Sequence, residues 1–151
     1  MDAGGSFELR AFDRSGAGLT PRPLRRIASG GELSRVMLAS KVVLGNADGV
    51  DTLVFDEVDA GVGGSTARAL AGVLVDLAAT HQVIVVTHLA QVAVMADKHY
   101  VVSKEPGDVP QTHLDEATGE ARTAEIARML SGDQSEASLA HARQMLEEAR
   151  G

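Results

Sequence analysis

Three groups of residues in this chain have types and spacings that could do chemistry. Ser29-Gly30-Gly31-Glu32 precedes a helical pattern, Asp56-Glu57 follows a short apolar run, and Thr87-His88 follows a second apolar run. A carboxylate directly after a strand can support Mg²⁺ near phosphates, and a second carboxylate beside it can orient or deprotonate an attacking water. A histidine at a neighbouring strand end can hydrogen-bond a terminal phosphate. These residue types favour chemistry on a phosphate.

The glycine pair in the first group is suited to an anion. Backbone N–H groups at the start of a helix have no intrahelical partner and carry partial positive charge. Gly30 and Gly31 would let an anion approach that backbone closely, and Ser29 adds a hydroxyl donor. Taken singly, the group also fits an ordinary capped helix, and Asp56-Glu57 and His88 each fit an ordinary strand end. Only the combination of the three groups favours a functional site over ordinary helix and strand ends.

A β-strand, α-helix, β-strand unit would bring the last two groups together. Residues 52–55 and 83–86 are apolar runs typical of buried parallel strands, with a helical apolar pattern between them. Strand, helix and strand within ~35 residues form a βαβ unit. Parallel strands end at one edge of their sheet, where open α/β sheets bind ligands. We therefore expect Asp56, Glu57 and His88 to converge at that edge.

The rest of the pattern predicts further strands and helices around this unit. The expected fold is α/β, with a mostly parallel sheet core flanked by helices, a small hairpin and two C-terminal helices. The expected elements are a strand over 7–12, a helix from the Ser29 group to Gly45 or Asn46, a helix capped by Ser65 or Thr66, a short helix over 89–95, a strand over 99–103 with a hairpin partner over 111–115, and helices over 123–130 and 135–149.

Composition excludes several classes of protein. The 151 residues are 44% hydrophobic and 23% charged, which is the composition of a folded globular domain. The absence of cysteine excludes disulfides and thiol catalysis. A net charge of −7 argues against a DNA-binding surface over the whole chain, and 3% aromatic residues provide no stacking platform for single strands. No apolar run reaches the ~18 residues of a membrane span, so no membrane partner is expected.

The order of the three groups resembles the second half of an ABC-type ATPase head. In such heads a signature motif opens a helix, the Walker B strand ends in Asp and a catalytic Glu, and a later strand ends in the switch histidine. The stretches PLRRIASGGELSRVMLASKVVL, TLVFDEVDAGVGGSTA and VIVVTHLAQVAVMADKHYVVSKE are more specific. They resemble the C-terminal head segment of the RecN family, bacterial SMC-like ATPases of DNA double-strand-break repair, and the resemblance runs from residue 7 to about 148.

This resemblance implies ATP and Mg²⁺ as cofactors and gives each group a role. The signature motif would contact the γ-phosphate of ATP bound on an opposing head. The strand-end residues would support Mg²⁺, activate the attacking water and sense the γ-phosphate. By this resemblance the nucleotide is bound by Ser29, Gly30, Gly31 and Glu32, Mg²⁺ is supported by Asp56, and the catalytic residues are Glu57 and His88.

The chain also departs from the full family pattern. Many ABC ATPases have an Asp at the end of the loop after Walker B, but Gly63 falls there and Asp59 is out of register. No Gly-x-x-x-x-Gly-Lys-Ser/Thr loop and no long heptad pattern occur in the sequence. The resemblance therefore implies that 1–151 form the C-terminal lobe of a head, with the Walker A lobe and coiled coil upstream in the same polypeptide.

The resemblance implies part of an SMC-like ATPase acting in DNA double-strand-break repair and recombination, in the cytoplasm at the nucleoid. ATP sandwiched between two heads would hold them as a homodimer, and hydrolysis would separate them. DNA is expected as a partner of the full-length protein, and this chain alone is expected to be inactive until the N-terminal Walker A lobe completes it. Two alternatives stay open: a non-catalytic assembly module gated by nucleotide, and a transporter nucleotide-binding domain. Val58 disfavours the transporter, which usually has proline there.

Overall fold

The computed structural model describes residues 12–13, 22–23, 30–45, 49–105 and 111–151, and this part of the chain contains both strands and helices. The α/β class predicted from the sequence is confirmed. The elements are β1 (Phe12–Asp13), β2 (Arg22–Pro23), α1 (Gly30–Leu44), β3 (Thr52–Asp56), α2 (Gly64–Ala78), β4 (Gln82–Val86), α3 (Ala90–Ala93), β5 (Tyr100–Glu105), β6 (Gln111–Glu116), α4 (Gly119–Ser131) and α5 (Glu136–Glu148). Within the described residues the strands form three two-stranded sheets: β3–β4 is parallel, whereas β1–β2 and β5–β6 are antiparallel.

The predicted βαβ unit is formed by β3, α2 and β4. The two strands are parallel, in a register that runs from Thr52 opposite Gln82 to Asp56 opposite Val86. Burial alternates along β3 because successive side chains point to opposite faces of a strand. The buried face of the sheet packs with α1 and α2 in one apolar core of Leu38, Leu53, Phe55, Val58, Ala71, Leu74, Leu77 and Val92.

The opposite face of this sheet is apolar and open. Val54, Ile84 and Val86 are 66%, 45% and 57% exposed. Parallel sheets in α/β proteins are normally covered on both faces. The described residues therefore cover one face of the β3–β4 sheet and leave the other without its usual layer.

A second apolar cluster joins the three C-terminal helices. It consists of Ala90, Ala93, Val94, Ile126, Ala127, Ala142 and Leu146. The Arg122 guanidinium on α4 donates to the carbonyls of Ala93, Val94 and Ala96, at 3.3, 3.2 and 2.6 Å, and so closes the C-terminal end of α3. Burial, with a smaller contribution from Arg122, lowers the pKa of the neighbouring His99. These contacts anchor the helix that follows β4 to the rest of the domain.

Several predicted boundaries differ from the observed ones. The expectation that Ser65 or Thr66 caps α2 is wrong, because the helix begins at Gly64 and its N-cap is Gly63, with no side-chain hydrogen bond. Helix α4 begins at Gly119, before the predicted start at residue 123. The predicted hairpin is confirmed as β5–β6. Of the strand predicted over 7–12, residues 7–11 lie outside the described residues. No helix in the described ranges is long and apolar enough to cross a membrane.

Candidate functional site

The loop that follows β3 is compact and constrained. The Ala60 N–H donates to the carbonyl of Glu57 at 3.0 Å, and the Val62 N–H donates to that of Asp59 at 2.9 Å. Glu57 has a φ of 55°, in the left-handed region. A residue with a Cβ rarely adopts this conformation, which costs of order 1 kcal/mol and is typical of functional sites. The backbone of the predicted catalytic residue is therefore held by its surroundings.

The first turn of α1 packs directly against this loop. Gly31 is buried, and a methyl group on it would lie 2.6 Å from the Glu57 carbonyl oxygen and 2.7 Å from Ala60 Cβ. The Ser34 hydroxyl donates to the Asp56 carbonyl at 2.6 Å. Only glycine leaves room for so close an approach. Gly31 therefore has a packing role within its own chain.

Arg35, one helical turn beyond Gly31, completes this contact. Its Nη1 donates to the Ala60 carbonyl at 2.8 Å and to the Val58 carbonyl at 3.3 Å. Side chains four residues apart share one face of a helix, which explains why Gly31 and Arg35 meet the same loop. Sequence reasoning missed Ser34 and Arg35, and their helical spacing from Gly31 was the only available signal.

The side chain of Glu57 reaches the helix start. A methyl group on Gly30 would lie 2.8 Å from Glu57 Oε2, so the carboxylate lies against the bare Cα of Gly30. Both residues are exposed to solvent. The positive end of the α1 dipole favours a negative charge at this point. The structure thus brings Glu57 beside Gly30 within one chain, a contact that the sequence did not predict.

His88 follows β4 and meets a buried carboxylate. Its backbone N–H donates to Asp59 Oδ2 at 3.2 Å, and its ring Nδ1 lies 3.5 Å from the same oxygen. The Thr87 hydroxyl also donates to Asp59 Oδ2. Asp59 is 1% exposed, whereas the His88 side chain is 71% exposed. No role was predicted for Asp59 from the sequence. Its place after β3, across from the Thr87-His88 pair that follows the parallel strand β4, was the signal that could have identified it.

The predicted strand-end residues lie at one edge of the sheet. Asp56 ends β3 opposite Val86, so Glu57 and His88 both follow the same carboxyl edge. The first turn of α1, with Gly30, Gly31 and Glu32, lies against the loop at this edge. Ser29, the remaining member of the predicted set, lies outside the described residues.

Curated relatives match most of this chain. The "DNA repair protein RecN" of Treponema pallidum (strain Nichols) is 54% identical over 132 residues, which cover 86% of this chain and 23% of the relative. That of Deinococcus radiodurans is 58% identical over 125 residues, 82% of this chain and 22% of the relative. That of Streptomyces coelicolor is 50% identical over 148 residues, which cover 97% of this chain and 26% of the relative. The chain belongs to the RecN family. It spans about a quarter of the length of these relatives.

The chain was also compared with family models and with solved structures. No family model matches the chain. One solved chain, from "Structural biochemistry of ATP-driven dimerization and DNA stimulated activation of SMC ATPases", is 21% identical with a TM-score of 0.49, covering 89% of this chain and 69% of that one.

The donor set of this RecN segment suits magnesium bound together with phosphates. Asp56 and Glu57 are exposed carboxylates at a strand end. Within the described ranges, no three His, Cys, Asp or Glu side chains could hold a metal ion together. Mg²⁺ in nucleotide sites uses one or two carboxylates and takes its other oxygens from water and phosphate. The two carboxylates fit that requirement.

We expect Arg35→Met to destabilise the RecN segment through the loop after β3. Two loop carbonyls would lose a charged donor, which costs about 1–3 kcal/mol of the free energy of unfolding. Urea unfolding of the variant protein measures this loss. Arg68→Met, at an exposed position on α2, is the matched control. Equal stability of the two variants would contradict the role given to Arg35.

Proposed function

We propose that this chain is the C-terminal lobe of an SMC-like ATPase head, and that the complete protein hydrolyses ATP in DNA double-strand-break repair. The observation that carries the proposal is the convergence of Asp56, Glu57 and His88 at one sheet edge, beside the N-terminus of α1. Relatives named as DNA repair proteins support the process, over about a quarter of their length. The complete protein would act in the cytoplasm, where bacterial DNA lies.

Asp56 and Glu57 would divide the chemistry between them. Asp56 ends β3 with an exposed carboxylate and would hold Mg²⁺, directly or through water. Bound Mg²⁺ would neutralise charge on the phosphate oxygens. Glu57 would accept a proton from the water that attacks the γ-phosphate. The contact of its carboxylate with Gly30 and the constrained backbone at φ 55° both support a fixed position for this base.

His88 would recognise the terminal phosphate from the neighbouring strand end. Its Nδ1 edge faces Asp59, and most of the ring is exposed. Nε2 is the ring nitrogen on the far side of the imidazole from Nδ1, so it is the atom that would meet a phosphate oxygen. A histidine anchored on one edge and open on the other suits such a contact.

The start of α1 would bind the nucleotide held by a second head. Gly30 is exposed and carries no side chain, so a phosphate could approach the backbone of the first turn beside the Glu57 carboxylate. Ser29 and Glu32 would flank that contact. ATP between two copies would then hold a homodimer, and hydrolysis would release it. In this arrangement the buried Gly31 serves mainly to set α1 on the loop that carries Glu57.

A second lobe of the same polypeptide would cover the open face of the β3–β4 sheet. That face exposes Val54, Ile84 and Val86, and α1 beside it exposes Leu33 and Met37. Covering such apolar surface stabilises by about 25 cal/mol per Å². The sequence lacks a Walker A loop, and the covering lobe would supply it. DNA would bind the complete protein, since the segment itself is acidic.

The proposal is tested by comparing the full-length protein with this 151-residue segment. We expect the full-length protein to bind ATP with Mg²⁺, form a nucleotide-dependent dimer and release phosphate. We expect the segment alone to do none of these, because it lacks the loop that holds the β- and γ-phosphates. Calorimetry and phosphate release measure both. Absence of ATP binding by the full-length protein, or micromolar binding by the segment alone, would overturn the proposal.

A further inference from the structure

Asp59 is a buried carboxylate that accepts hydrogen bonds from another loop. It stands three residues beyond Asp56, yet its Oδ2 accepts from the Thr87 hydroxyl and from the His88 N–H at 3.2 Å. The Thr87 hydroxyl in turn accepts from the Leu89 N–H at 3.0 Å, next to the start of α3. One oxygen therefore joins the loop after β3 to the loop after β4.

The burial of Asp59 makes this junction rigid. Removing a carboxylate from water costs several kcal/mol unless hydrogen bonds compensate. For Asp59, 1% exposed, that compensation comes from Thr87 and the His88 backbone. A shift of the loop after β4 would remove donors from a buried charge. The conformation around His88 is thereby tied to that of the loop that carries Glu57.

The same carboxylate faces the imidazole. Nδ1 of His88 lies 3.5 Å from Asp59 Oδ2, longer than an ideal hydrogen bond. Functional hydrogen bonds are often long before ligand binds and tighten in the complex. A carboxylate on one ring nitrogen selects the tautomer with its proton there and fixes the ring orientation. This geometry turns the Nε2 edge of His88 away from Asp59.

We propose that Asp59 is the positioning residue of His88: it holds Nδ1 from within the fold, so that Nε2 is presented to the terminal phosphate. This inference rests on the proposed function, because it assumes that His88 meets phosphate. Asp59 itself touches no reacting atom. It acts on the reaction through the orientation of His88.

A double-mutant cycle in the full-length protein tests this role. We expect Asp59→Asn to lower kcat about 10- to 100-fold. The size is taken by analogy from metal-binding histidines, which lose that much activity when the residue that orients them is replaced. ATP affinity should stay near wild type. We expect the variant combining Asp59→Asn with His88→Ala to be no slower than His88→Ala alone, because both changes remove one function. Asp76→Asn, at an exposed position on α2, is the matched control with unchanged kcat. Losses that multiply would overturn the proposal.

Histidine NMR gives a second readout that does not depend on activity. Ring nitrogen shifts of selectively labelled His88 should report a proton on Nδ1 in the wild type and its redistribution in Asp59→Asn. If His88→Ala keeps wild-type turnover, the sensor role in the proposed function fails. The tautomer measurement then still decides about Asp59. A ring signal unchanged by Asp59→Asn would overturn the positioning role, and a changed one would support it.

Discussion

Glu57→Gln in the full-length protein is expected to slow ATP hydrolysis by about 10²–10⁴-fold while ATP still binds. The two side chains have nearly the same shape, so the contact with Gly30 and the packing at the end of β3 should survive. The amide cannot accept a proton from the attacking water. Asp56 remains to support Mg²⁺. Binding without turnover should then accumulate the dimer held by ATP.

Phosphate release and size-exclusion chromatography with ATP and Mg²⁺ measure these two effects together. Glu136→Gln, an exposed acid in the first turn of α5, is the matched control and should behave as wild type. Near-wild-type turnover of Glu57→Gln would remove Glu57 from the catalytic role and shift it to His88 or to a group on the second lobe. If the wild type dimerises with ATP but neither protein turns it over, the non-catalytic assembly module is favoured.

The sequence was sufficient to predict the frame of the site. Two apolar runs separated by a helical pattern can form a parallel pair only through a crossover, so their carboxyl ends must share an edge. Asp56 and His88 were placed at that edge by topology alone, and the observed register agrees. Element ends were less predictable, as Gly64 and Gly119 illustrate, because no side chain or apolar pattern marks those helix starts.

The contacts within the site could not be predicted, because they depend on how α1 packs on a loop more than twenty residues away. The glycine pair was interpreted through the anion it could bind, yet Gly31 is also required by the Glu57 carbonyl. The spacing of Arg35 from Gly31 and the position of Asp59 after β3 do not by themselves identify the groups that these side chains contact. An apolar run predicts a strand but not which of its faces is covered, and so Val54 and Ile84 marked strands whose outer face is exposed.

Gly31→Ala and Gly30→Ala are expected to differ in their effects on stability, although the positions are adjacent. A methyl group at Gly31 would collide with the Glu57 carbonyl and Ala60 Cβ, at 2.6 and 2.7 Å. Neither neighbour can move without shifting the loop, so we expect the free energy of unfolding to fall by about 1–3 kcal/mol. At Gly30 the close neighbour among the described residues is the end of the Glu57 side chain, which can rotate away. Stability should therefore stay near wild type, or rise slightly through the helix propensity of alanine.

The two variants should also differ in their activity. Gly30→Ala displaces the Glu57 carboxylate from its place at the start of α1, so under the proposed function it should lower kcat in a protein that unfolds in urea like the wild type. Urea unfolding and phosphate release on the same preparations give both quantities. Gly30 is also the better position for testing the phosphate contact, because a change at Gly31 disturbs its own chain first. Wild-type stability of Gly31→Ala would contradict the packing of α1 on the loop. Wild-type kcat in Gly30→Ala would show that hydrolysis does not depend on where the helix start holds Glu57.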